Sequence, residues 1–88
     1  MSKNTDTTKM KIERCDPKTN LVILGTTFMA TLDKKKYFPK HISLYCQVEE
    51  PSLFAQISGI PIGTEIMAKV TSDLQHGKNY LEGFTLVD

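Results

Sequence analysis

The order of the hydrophobic periodicities constrains this chain more than any single residue does. Three stretches alternate apolar and polar residues at period two, a short helix-like segment opens at Pro51, and two further alternating stretches lead towards the C-terminus. Successive side chains of a strand point to opposite faces, so each alternation describes a sheet with one buried and one wet face. The element plan is therefore β-β-β-α-β-β. The 88 residues leave room for one domain, and a chain of this size buries only about 60% of its unfolded surface. A sheet closed on itself uses a small apolar complement efficiently and leaves no edge to protect.

The first strand is expected over about residues 9–15, where Met10 and Ile12 alternate with Lys11 and Glu13. Residues 1–8 are polar and aperiodic, and read as a mobile tail ahead of a domain spanning 9–88. Asp16, Pro17, Lys18, Thr19 and Asn20 carry turn chemistry. The second strand, residues 21–32, places Val22, Leu24, Thr26, Phe28, Ala30 and Leu32 on one face, with Ile23, Gly25, Thr27, Met29 and Thr31 on the other. Gly25 in mid-strand reads as a bend or bulge that lets a long strand curl.

Residues 33–40 read as a loop. The third strand, residues 41–48, turns Ile42, Leu44, Cys46 and Val48 inward and His41, Ser43, Tyr45 and Gln47 outward. Acidic Glu49 and Glu50 ahead of Pro51 suit the start of a helix. Leu53, Phe54 and Ile57 form its apolar side, Gly59 stands where a C-cap belongs, and the helix plugs one end of the closed sheet. The fourth strand, about 64–74, sets Ile66, Ala68 and Val70 against Glu65, Met67 and Lys69. A glycine hairpin over 75–79 leads into the fifth strand, 80–87.

Charge is divided unevenly along the chain. Residues 1–48 hold nine Lys/Arg against four Asp/Glu, and residues 49–88 hold two against six, so a total of +1 conceals +5 and −4. Cys15 and Cys46 lack metal-ligand spacing, and on strands flanking the same neighbour they sit about 9 to 10 Å apart, beyond disulfide reach. No apolar run approaches the roughly 20 residues of a membrane span. Residues 1–9 lack a signal peptide's apolar core, so a cytoplasmic protein is expected. His41 and His76 have no companions at catalytic spacing, and Thr26, Thr27 and Thr31 have no activating base close in sequence. Neither an enzyme, a metal site nor a cofactor is expected.

Taken together, the second strand bearing Gly25, the helix between the third and fourth strands, and the closing segment from Ile62 to Val70 and from Lys78 to Phe84 resemble the OB-fold family. The resemblance is in particular to small single-stranded DNA-binding proteins of the phage and bacterial type. It implies a mainly β, five-stranded Greek-key barrel with one short helix between strands 3 and 4, binding single-stranded DNA or RNA on an outer face. The residues best suited to that task are Lys34, Lys35, Lys36, Tyr37, Phe38 and Lys40 in the expected loop, lysines to track phosphates and aromatics to stack bases. Tyr45, with Met29 and Thr27 across from it, forms an expected shallow platform, and Lys9, Lys11, Arg14 and Lys18 extend the positive side. Arg14 is the only arginine, and there is no tryptophan. A protein-interaction module, such as an accessory or inhibitor subunit of a phage or mobile element, is the other class the composition fits. It would use the acidic half or an open sheet edge, which also invites homodimers.

Overall fold

A computed structural model describes the backbone of residues 3–32 and 36–87, with the side chains of these apart from residues 28–32, 36 and 38. The described residues form five strands and one helix: β1 (Lys3–Asp16), β2 (Leu21–Leu32), β3 (Lys36–Gln47), α1 (Pro51–Ser58), β4 (Glu65–Asp73) and β5 (Lys78–Leu86). The strands lie in the order β1-β2-β3-β5-β4, and β4 returns to β1 so that the sheet closes. Every pairing is antiparallel except the two-pair parallel contact between β3 and β5 at Cys46↔Asn79 and Gln47↔Tyr80.

The first strand is twice as useful as its apolar stretch suggests. Residues 11–16 pair with β2, and residues 3–11 pair with β4 from Lys3↔Asp73 to Lys11↔Glu65. The expectation of a tail over 1–8 therefore needs correcting: residues 3–8 are strand, and only residues 1 and 2 of that stretch lie outside the described residues. The physical reason is that ladder hydrogen bonds are blind to side chains. These residues extend beyond the core with both faces wet, so they carry no apolar periodicity, and the Thr5 and Thr71 hydroxyls meet across the pair at 2.8 Å.

The same correction applies to the expected 33–40 loop. β2 and β3 pair without interruption from Leu21↔Gln47 to Leu32↔Lys36. Lys36, Tyr37, Phe38 and Lys40 are thus strand residues, while Lys34 and Lys35 lie outside the described residues. Pro39 is tolerated in this strand because β5 reaches β3 only at Cys46 and Gln47, leaving the other edge of β3 without a ladder for Pro39 to interrupt.

The core is the inward face of the ring. Met10, Ile12, Val22, Leu24, Cys46, Val48, Ile66, Ala68, Val70 and Leu81 are buried, and Ile57 of α1 joins them with no exposed surface. Leu53, Phe54 and Ile60 pack against this cluster at the helix end. The period-two expectation fails at Ile42, which is 36% exposed because it lies on the part of the β2–β3 hairpin beyond β5. Gly59 is the residue after the helix, but its φ of −82° is ordinary right-handed backbone that does not demand glycine. Gly77 does need its freedom, since φ of 64° turns the β4–β5 hairpin. No helix among the described residues is long and apolar enough to cross a membrane. Both cysteines are free, and both register with Val22 from opposite sides of β2, two strand spacings apart. Burial pushes the Cys46 thiol up to about 11.

Candidate nucleic-acid interface

The outer faces of β1, β2 and β3 form one surface, and a bulge on β1 organises its centre. Ile12 pairs with Leu24 and Arg14 with Ile23, so Glu13 is an extra residue with no partner on β2. A bulge re-aims the side chain it carries. Here it sends the Glu13 carboxylate across β2 to β3, where the Ser43 hydroxyl donates to Oε1 at 2.7 Å and His41 Nε2–H donates to Oε2 at 2.7 Å.

Gly25 is what permits the crossing. A Cβ at that position would lie 2.7 Å from His41 Cε1 and closer still to Glu13 Oε2. The mid-strand glycine is a site of close approach, and the irregularity expected there lies instead on the neighbouring strand at Glu13.

The fold brings His41 and Thr27, expected to lack a catalytic companion and a nearby base, within hydrogen-bond distance of each other. With its Nε2 proton committed to Glu13, neutral His41 presents Nδ1 as an acceptor to the Thr27 hydroxyl at 3.3 Å. Carboxylate, imidazole and hydroxyl in this order are the parts of a general-base relay. The imidazole is 52% exposed, on an open strand face. Hydrogen bonds from Ser43 and then His41 hold the Glu13 carboxyl below its ordinary range. Its ionised state is thereby fixed in both charge and position.

Around this centre lie cations and aromatics. Lys9, Lys11, Gly25, Thr26, Thr27, His41 and Glu65 line a groove of ≈ 410 Å³ between the β1–β4 arm and the β2–β3 hairpin. Lys9 reaches Glu65 at 3.6 Å, an exposed pair. Arg14, Ile23 and Tyr45 form a cross-strand row beside the Glu13 cluster. Tyr37, His41, Ser43 and Tyr45 share one face of β3, with Tyr37 66% and Tyr45 60% exposed.

The residues expected to act together are thus partly separated. Lys40 is exposed on the opposite face of β3 from Tyr37 and Tyr45. Met29 pairs with Pro39, whereas Tyr45 pairs with Ile23, so Met29 and Tyr45 stand about 20 Å apart along the strands and form no common platform. Thr27 lies opposite His41. Thr27 was expected beside Tyr45, but its joining Glu13, His41 and Ser43 in one hydrogen-bonded cluster has no signature in the sequence beyond the glycine in mid-strand.

Two further features lie elsewhere. In the β4–β5 hairpin, His76 donates from Nδ1 to buried Asp73 at 2.9 Å, and these bonds lower the Asp73 carboxyl. At the helix end, Cys15, Pro17, Phe54, Ile60 and Ile62 line an apolar groove of ≈ 540 Å³. Among the described residues no three His, Cys, Asp or Glu side chains converge as metal ligands would. Comparison of the chain with protein-family models, curated proteins and solved structures finds no match.

Proposed function

We propose that this protein is an OB-type barrel that binds single-stranded DNA or RNA along the outer face of β1, β2 and β3, without catalysis. Tyr45 and Tyr37 stack bases, while Lys9, Lys11 and Arg14 follow the phosphates from the β1 side. The observation that carries the reading is the pair of exposed tyrosines on one face of β3, bordered by the cations of β1. Aromatic rings beside a positive track are the recurring means of holding a strand without reading its sequence. The strand order β1-β2-β3-β5-β4 with α1 between β3 and β4 supports the fold assignment. Lys40, exposed on the opposite face of β3, takes no part in this track. Fluorescence-anisotropy titration of labelled oligo-dT and oligo-rU at low and moderate salt tests it. Saturable binding that weakens with salt is expected; no binding at low salt would remove it.

The apolar groove under α1 favours a second reading, a protein partner. Ile62 at its rim is 62% exposed, and the β3 edge beyond the β5 contact offers a strand for a partner or a second copy of the chain to extend. A partner recovered from lysate after nuclease treatment, displaced by Ile62→Asp, would support it.

A further inference from the structure

A carboxylate at the centre of a face that attracts phosphates calls for an explanation, because it repels the backbone it lies beneath. Glu13 is not a stray surface charge. The bulge aims it, Gly25 makes room for it, and Ser43 and His41 hold one oxygen each. A carboxylate offers about four acceptor sites, and these two bonds occupy one on each oxygen. The side chain remains 32% exposed, so part of the carboxylate still faces solvent on the outer surface of the sheet.

We infer that Glu13 is a base-reading acceptor, which makes the proposed strand-binding face prefer bases presenting paired N–H donors, guanine first, over thymine and uracil. The inference rests on the nucleic-acid reading above and deepens it. Single-stranded ligands are read on their Watson–Crick edges once the bases are splayed and stacked on aromatics. Guanine presents N1–H and the N2 amine side by side, matching two carboxylate oxygens. Cytosine and adenine each present one amine beside a ring-nitrogen acceptor. Thymine and uracil present a single N3–H flanked by two carbonyl oxygens that repel a carboxylate.

The placement suits this role. Ser43 and Tyr45 are two residues apart on the same face, so the carboxylate stands about 7 Å along the strand from the ring that would hold a base. The Arg14–Ile23–Tyr45 row lies immediately beside it, supplying a cation for the adjoining phosphate. Glutamine at position 13 would keep the shape but replace one acceptor oxygen with a donor, presenting a mismatched pair to guanine.

The test is competition between oligo-dT and the same oligo-dT carrying a single central guanine, read by anisotropy at one fixed salt. The guanine oligomer is expected to bind about tenfold tighter. Inosine, which keeps N1–H but lacks the N2 amine, should lose most of that gain, and Glu13→Gln should draw the guanine and thymine oligomers together. Equal binding of the two oligomers by the unaltered protein overturns this inference and leaves the strand-binding reading intact. A guanine preference that survives Glu13→Gln, or that inosine matches, also overturns it. Failure to bind any oligomer overturns both readings.

Discussion

Replacing Tyr45 by alanine separates recognition from folding. Tyr45 is 60% exposed and faces Ile23 across β2, so its share in stability is one cross-strand pair, about 0.2–1 kcal/mol. Small domains have about 5–15 kcal/mol to lose, so the variant should remain folded. In binding, the same ring is assigned the stacking of one base, worth about 1–3 kcal/mol. A weakening of oligo-dT affinity by about fivefold to a hundredfold follows, since about 1.4 kcal/mol corresponds to a factor of ten. Lys40→Ala is the control for geometry, because Lys40 is exposed on the opposite face of β3 and should matter less than either β1 lysine of the groove. Lys11→Ala should lower the slope of log affinity against log salt by about 0.7. Anisotropy titrations over a salt series, with urea unfolding of each variant, read all three. Undiminished binding by Tyr45→Ala together with a large loss in Lys40→Ala would refute the reasoning, placing the ligand on the other side of the hairpin.

Other outcomes follow from the core and the titrating groups. Ile57 is the buried anchor of α1, and Ile57→Ala should cost about 2–5 kcal/mol in urea unfolding; a cost under about 1 kcal/mol would mean that the helix is not part of the cooperative core. Glu13 and Asp73 have carboxyls lowered by their hydrogen-bonded neighbours, so their stabilisation is complete above the unfolded-state carboxylate range and disappears as pH falls through the lower folded values. Thermal melts should therefore decline in acid, with a shallower decline in Glu13→Gln; parallel curves would deny Glu13 this role. Cys46, fully buried with its thiol raised to about 11, should react with an alkylating agent at mildly alkaline pH far more slowly than half-buried Cys15. Equal labelling rates by mass spectrometry would contradict the register that places Cys46 inside.

How much of this was legible in the sequence depends on whether side chains or backbone carry the information. Ile12, Val22, Leu24, Cys46, Val48, Ile66, Ala68 and Val70 announce their burial by period two, because a closed sheet has one dry face. The strand residues 3–8 and 36–40 announce nothing of the kind: their hydrogen bonds come from the backbone, and the arms they form project past the core. The Glu13 cluster was hidden by distance and by register. Its members stand 28 and 30 residues apart, and a single extra residue on β1 decides which way the carboxylate points. Gly25 was visible as an exceptional position, but a glycine that makes room and a glycine that bends look alike in a sequence. Lys40 three residues from Tyr37 suggested one binding segment, and strand parity divides them.

Nuclear magnetic resonance of isotope-labelled protein titrated with oligo-dT tests the central claim most directly, because it reports which surface meets the ligand. Amide shifts are expected at Lys9, Lys11, Arg14, Thr27, Ser43 and Tyr45, lessening as salt is raised. Shifts centred on Phe54, Ser58 and Ile62, or none at a concentration that saturates the protein, would contradict it.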